Sequence, residues 1–447
     1  MKAAAILGAL SLVLVMAPAS GALAAGRRMP VPAATSGDGV VEYQMPKGEN
    51  LFSLARRALA RQGDYRQVQR LNRIADPHRI PVGTVIRIPV PLLRSEPLAA
   101  RIVALRGNVL LRQGDRTVEA RPGTELAPGT TLATGADGFV TLQLPNGSRT
   151  SMPTQTRMRI VRLHRIILTC SVDYDLAVDK GKVETLASPL GADRNNRFRI
   201  RTPRAIAAVR GTRFRVGFDE TTSLAEVIEG KLAANSQASG QVASLTPGLG
   251  AVITASGALA TEALLPEPDL ANPGRVQTDP QVRLVLKPLP GAGGYHVQIA
   301  EDAGFAKVLA EQQQRDEVFA FADIPNGSLF VRVSALAASG LEGLPQTYAM
   351  RRILAGVRAS AQVDGDSMRF DWGGEGEGQR RYSFQLGDAR GDAPLLVNEA
   401  GLGGQGIRIG ALGPGVYRWR VGVRQEVDGE VVENWLPFEK LTVAAPD

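Results

Sequence analysis

The sequence predicts a mostly β, multidomain protein: a small βααβ module, then an all-β domain, then two β-sandwich modules. Three observations carry this. At about 100–200 residues per domain, 447 residues are too many for one small domain. Gly and Pro fill 49 and 28 positions, which favours short strands joined by turns over helical bundles. Beyond residue 100, apolar and polar residues alternate between turn signals. A hydrophobic content of 44% with 21% charged residues leaves ample apolar surface for several cores.

Composition also narrows the chemistry. One cysteine, Cys170, excludes an intramolecular disulfide framework and any cysteine-cluster metal site. Following the apolar IILT run, it is expected as a buried small hydrophobe. His78, His164 and His296 fall in three different modules with no carboxylate pattern beside them. There is no His-Glu-x-x-His, Gly-x-Ser-x-Gly or Ser-x-x-Lys, so no catalytic residue, metal or cofactor is expected. GLGGQG (Gly401 to Gly406) matches a dinucleotide fingerprint but precedes the strand-like IRIG, where a hairpin loop is the expected reading. Paired carboxylates for glycoside cleavage depend on spatial separation and stay open as a third reading.

Residues 1–24 combine Lys2, the apolar run AAAILGALSLVLVMA and an Ala22-x-Ala24 site, the pattern of a cleaved secretory signal. A linker is expected over 25–40 and no transmembrane segment in the mature chain, which places the protein outside the cytoplasm.

Charge is unevenly spread. Residues 26–99 carry 12 basic and 6 acidic side chains, residues 100–262 carry 21 and 14, and residues 263–447 carry 18 and 24. Outside the cytoplasm a basic half suits the carboxylates and phosphates of envelope glycans better than nucleic acid.

In 41–91, a short strand from Val41 to Met45 meets a Pro46–Gly48 turn. Leu51, Leu54, Ala55 and Ala58 then fall at helical spacing behind Asn50 as the cap. A second helix follows Asp64 with Val68 and Leu71 on one side, and Thr84 to Ile88 alternate as a closing strand. Tyr43, Gly48–Leu51, Leu71-Asn72, Asp76-Pro77, Ile80-Pro81, Gly83 and Ile88-Pro89 give this stretch its likeness, and it resembles the LysM module. The resemblance implies binding of N-acetylglucosamine-containing glycan, most directly peptidoglycan, in a groove between two loops. Carried over, the groove residues are Gly48, Glu49, Asn50 and Leu51 facing Arg79, Ile80 and Pro81. Where the family commonly has Gly-Asp-Thr, this chain has Gly48-Glu49-Asn50.

Residues 100–262 alternate as an all-β domain. FVTLQLPNGS is a strand entering an Asn146-Gly147 turn, and KGKVE and EGKLA are strands after Gly turns. RFRIRTP places Phe198 and Ile200 on one face and Arg197, Arg199 and Arg201 on the other. RFRVGF turns Phe214 and Val216 inward, so the sheet carries an outward basic stripe. Gly107-Asn108-Val109, Thr134 to Gly138, Leu144 to Ser148, Lys180 to Val183, RTPRAIAAVRGTRFRV (Arg201 to Val216), Val227 to Lys231 and Pro247-Gly248 together resemble the periplasmic FecR domain. That family is best known for a transducer acting on a sigma factor, which needs a cytoplasmic segment and a spanning helix ahead of the domain. Only two residues precede the signal-like run here, so the expected role is an envelope interaction module without an anti-sigma segment. Arg210, Gly211 and Thr212 form the candidate contact turn, beside Arg197, Arg199 and Arg201; Gly211 is equally explained by a backbone conformation that glycine tolerates.

A Pro-rich linker is expected over 263–279, then sandwich modules over 280–354 and 355–447. Tyr295-His-Val-Gln recurs as Tyr382-Ser-Phe-Gln, and Leu329-Phe-Val-Arg-Val as Tyr417-Arg-Trp-Arg-Val. These copies resemble fibronectin type III modules. Trp372, Trp419 and Trp435 all lie in the second copy and are expected in its core.

The functional expectation is a non-catalytic, periplasmic envelope protein. It would bind peptidoglycan through 41–91 and present its other domains to an envelope protein, with no nucleic acid involved. The periplasm is preferred to the exterior because both modules are typical of didermal envelopes. The alternative is a periplasmic signalling accessory whose FecR-like domain binds an envelope protein; a peptidoglycan hydrolase is third.

Overall fold

A computed structural model describes residues 39–189, 195–209, 211–391, 393–410 and 412–444. The signal and most of the first linker, and Arg210, lie outside the described residues.

The first module is built as β1 (Val40–Gln44), α1 (Leu51–Ala58), α2 (Tyr65–Leu71) and β2 (Val85–Pro89), with β1 and β2 antiparallel. Asn50 starts α1 by accepting from the amides of Phe52 and Ser53, and the Ser53 hydroxyl closes a capping box on the Asn50 amide. Leu51, Leu54, Ala55 and Ala58 are buried as their spacing demands. Leu71 departs from expectation: it is 42% exposed at the last turn of α2, and Val68 is the buried residue of that short helix. Asn72 then fixes α2 to β2, exchanging bonds with the backbone of Arg87 at 2.7 Å each way.

Strands from Ser95 to Ala263 hydrogen-bond around a closed barrel. Its interior packs Leu142, Ile160, Tyr174, Phe198, Ile200, Phe214 and Val216, all buried. The strand Val172–Leu186 is the hinge of this architecture. Its first half pairs with Arg157–Ile166 and its second with Arg213–Phe218. KGKVE therefore lies inside one strand, and Gly181 is a kink in it instead of a turn before it. Its φ is +81°, and a Cβ there would fall 2.5 Å from the Thr156 hydroxyl. EGKLA does follow a turn at Gly230.

The first module sits on this barrel. Ile166 and Leu168, from the tip of a barrel hairpin, complete its core beside Leu59 and Leu93. Asn195 accepts from the Glu42 amide at 3.1 Å, and Arg197 donates to the Val40 carbonyl. Cys170 turns that same hairpin with a φ of +56° and is exposed, contrary to the buried position expected of it. A tight turn, and not the apolar run before it, sets its environment.

In the first sandwich a two-stranded sheet (Val282–Val285 with Val318–Phe321) faces a four-stranded one whose central strands are Gly294–Ala300 and Gly327–Leu336. The second faces Arg358–Asp364, Ser367–Gly373 and Gly406–Gly410 against a sheet centred on Gln379–Asp388 and Gly415–Val427. GLGGQG links Leu395–Leu402 to Gly406–Gly410, strands of opposite sheets, so it is a crossing and not a hairpin. Trp372 and Trp419 are core residues; Trp435 is half-buried on the outer face. The stretch 263–279 is packed, with Leu264, Leu270, Gln277 and Thr278 all buried. Among the described residues no helix is long and apolar enough to cross a membrane.

Candidate functional site: a two-loop groove and the surfaces behind it

The two loops expected to form the groove of the first module are tied together. The Leu51 amide donates to the Pro77 carbonyl at 3.0 Å, holding the 46–51 loop beside the 76–83 loop. Gly48 turns the first loop with a φ of +82°, exposed and with open space around it. Glu49 is held from two sides: the Tyr43 hydroxyl donates to it at 2.7 Å and Arg57 at 2.8 Å. Burial, reinforced by the Glu49 carboxylate, pushes the Tyr43 phenol up. The hydrogen bond to Glu49 does the same for Arg57. Glu49 is therefore a brace for the loop, as Asn50 is the cap of α1.

Leu51 is fully buried, so its part in the groove is played by its backbone alone. On the facing loop Arg79 and Pro81 are exposed and Ile80 is half-buried against the core. The two loops that carry the seven expected residues are thus tied at one point, and of the seven only Arg79 offers a charged side chain not used elsewhere among the described residues. Sequence reasoning missed an aromatic cluster beside these loops. Phe52 packs against Tyr65 and against His78, each with ring centroids 4.5 Å apart. The positions of Phe52 just after Leu51 and His78 just before Arg79 were the available signal.

On the barrel, the expected basic stripe is charge-compensated. Asp173 and Asp175 are buried on the adjacent strand; Asp175 accepts from Arg201 at 2.7 Å and Arg162 at 3.0 Å, and Asp173 from Arg199 at 3.3 Å. Parallel pairing of 173–177 with 197–201 puts Asp173 opposite Arg197 and Asp175 opposite Arg199. Gly211 adopts a φ of +67°, and Thr212 is buried with its hydroxyl on the Lys231 carbonyl at 2.9 Å. Both residues are built into a packed turn.

A larger electrostatic feature lies between the barrel and the first sandwich, with carboxylates around one of the histidines expected to have none. His296 meets Glu342 at 3.1 Å through Nδ1 and Glu311 at 3.4 Å through Nε2. Burial alone would lower its pKa, but Glu342 and then Glu311 outweigh it and push it up to about 9. Glu184 of the barrel accepts from Arg332 of the sandwich at 3.1 Å and from Arg213 at 2.9 Å. Burial would raise Glu184, yet Arg332, Arg215 and Arg213 hold it down at about 2. Arg215, 2% exposed, reaches across to the carbonyls of Glu342 and Gly343. These partners are 15 to 148 residues apart, beyond the reach of local pattern. The readable signal was a charged residue at an outer-face strand position, as at Arg215, Glu226, His296 and Arg332.

Residues 46–89 match the LysM domain model and residues 130–233 match the model described as FecR protein. No curated protein matches the chain. Among solved structures, a candidate anti-sigma factor from Parabacteroides distasonis is 17% identical, covering 30% of this chain at a TM-score of 0.25. The match spans 59% of that structure's own length. A two-domain fibronectin type III segment of chicken tenascin is 13% identical, covering 39% of this chain and 98% of its own at a TM-score of 0.18. Fibronectin(III)-like modules of Clostridium thermocellum CbhA are 8% identical, covering 40% and 94% at 0.19. The chain carries a LysM domain and a FecR domain, followed by two β-sandwich modules.

Proposed function

We propose that the protein is a non-catalytic envelope component that binds peptidoglycan through its first module and presents the barrel and sandwich domains to an envelope protein in the periplasm. The observation that supports this reading is the locked pair of loops, joined by the Leu51–Pro77 bond and braced by Tyr43, Glu49 and Arg57, with Arg79 exposed beside them. Acetamido sugars need backbone donors and acceptors with fixed directions, and locked loops supply these without an ordering cost on binding. Phe52, Tyr65 and His78 add an aromatic surface next to it. Holding the wall raises the effective concentration of the distal domains near it, so weak contacts there suffice. The FecR match favours a second reading, a signalling accessory in which the barrel contacts a protein and wall contact is incidental.

The test is co-sedimentation of the protein with peptidoglycan sacculi at low and high salt, beside the groove variant Arg79→Glu/Pro81→Trp, which changes exposed positions only. Salt-resistant binding that the variant loses is the expected result. Binding that the variant keeps, or that salt abolishes, would overturn the wall-binding assignment and leave the accessory reading.

A further inference from the structure

We propose that the seam between the barrel and the first sandwich is a site for the oxyanion of a phosphate-bearing ligand, bound by Arg149, Arg213 and Arg332. The inference is independent of glycan binding. A cavity of about 310 Å³ opens there, lined by these three arginines with Ser151, Glu184 and Glu229 among its walls. That volume is at the small end of ligand sites, and domain seams are where such sites concentrate.

Two of the arginines have donors that the protein does not take up. Arg332 is 7% exposed; its Nη1 is held by Glu184, its guanidinium lies 3.9 Å from the Phe305 ring centroid, and its Nη2 makes no hydrogen bond among the described residues. Arg149, half-buried on the barrel strand Arg149–Met152, has no side-chain hydrogen bond or ion pair among the described residues. Charge in the cavity favours an anion. Three guanidiniums line it against two carboxylates, and Glu184 is already shared by Arg213, Arg215 and Arg332. Glu229, on the exposed rim, offsets one charge and leaves a positive surplus deeper in. Guanidinium forks match the oxygen spacing of phosphate.

The probe is inorganic phosphate, titrated calorimetrically into the full chain against sodium chloride at equal ionic strength. Saturable phosphate binding absent with chloride is expected, together with a rise in melting temperature. Arg149→Gln should weaken it tenfold or more while leaving the melting temperature without phosphate unchanged, because Arg149 holds nothing else. Equal responses to phosphate and chloride, or unaltered binding by Arg149→Gln, would overturn the proposal. Flotation with phosphatidylglycerol vesicles identifies the source: flotation lost in Arg149→Gln assigns a lipid headgroup, and phosphate binding without flotation assigns a soluble phosphate.

Discussion

In the first sandwich Val297 lies opposite Val333, and in the second Phe384 lies opposite Val421, so the sequence repeat is also a repeat of strand register. Arg332 and Arg420 hold the same place on the two outer faces, across from Gln298 and Gln385. What each face meets is different. The first is pressed on the barrel, where half-buried Glu184 takes up Arg332, itself only 7% exposed. The second is clothed by its own aromatic rings: Arg420 lies 4.6 Å from the Trp435 centroid and 4.3 Å from that of Phe438, which also stacks on Arg418. One strand frame thus carries arginine on its outer face in both copies. Whether that arginine becomes a domain interlock or a surface stack depends on which module lies across from it.

Breaking the interlock should have the largest effect. Glu342, 3% exposed, faces Arg215, His296 and Lys182, so Glu342→Ala strands buried cations and should cost about 3–5 kcal/mol in a denaturant melt. A loss under about 1 kcal/mol would mean the seam is wet and the comparison fails. The pH response sharpens the same point. His296 titrates at about 9 in the folded protein, above the ordinary imidazole value. Its stabilisation is therefore complete below about pH 6.5 and is lost as pH rises through 9, a change on the order of 3 kcal/mol. Glu184, held near 2, acts in the other direction, stabilising above about pH 4.5 and failing as pH falls toward 2. Melting temperature against pH should show both limbs, and His296→Gln should flatten the alkaline one alone.

A smaller effect is expected where the first module meets the barrel. Leu168→Asp puts a charge into their shared core and should cost about 2–3 kcal/mol, with faster amide exchange in β1 and α1. Unchanged exchange there would show that the module does not depend on the barrel. The smallest effect belongs to the second sandwich. Arg420→Ala removes a stack on a half-buried face and should cost about 0.5–1 kcal/mol, well below the cost of Arg332→Ala at the equivalent position.

Much of this was legible in the chain. The period of Leu51, Leu54, Ala55 and Ala58, the cap at Asn50, and the alternation through Phe198, Ile200, Phe214 and Val216 each express a local rule, and local rules act within a few residues. What local rules do not contain is who lies across a seam. Arg332 and Glu184 are 148 residues apart, and nothing near either announces the other. The arginines at 199 and 201 looked like a bare stripe because Asp173 and Asp175 arrive from another strand by parallel pairing. Gly181 looked like a turn because a positive φ inside a 15-residue strand leaves the same glycine signal. In the groove, the loops were readable from motif residues, whereas the brace of Glu49 by Tyr43 and Arg57 needed the fold to bring the three together.

The central claim is that the locked groove recognises acetamido sugar. Its most direct test is a titration of the isotope-labelled full chain with a soluble N-acetylglucosamine oligomer, following backbone amide resonances at high salt. Saturable shifts confined to Gly48–Leu51 and the 78–82 loop, with the barrel and sandwiches still, are predicted. No shift at millimolar oligomer, or shifts confined to the barrel, would contradict it.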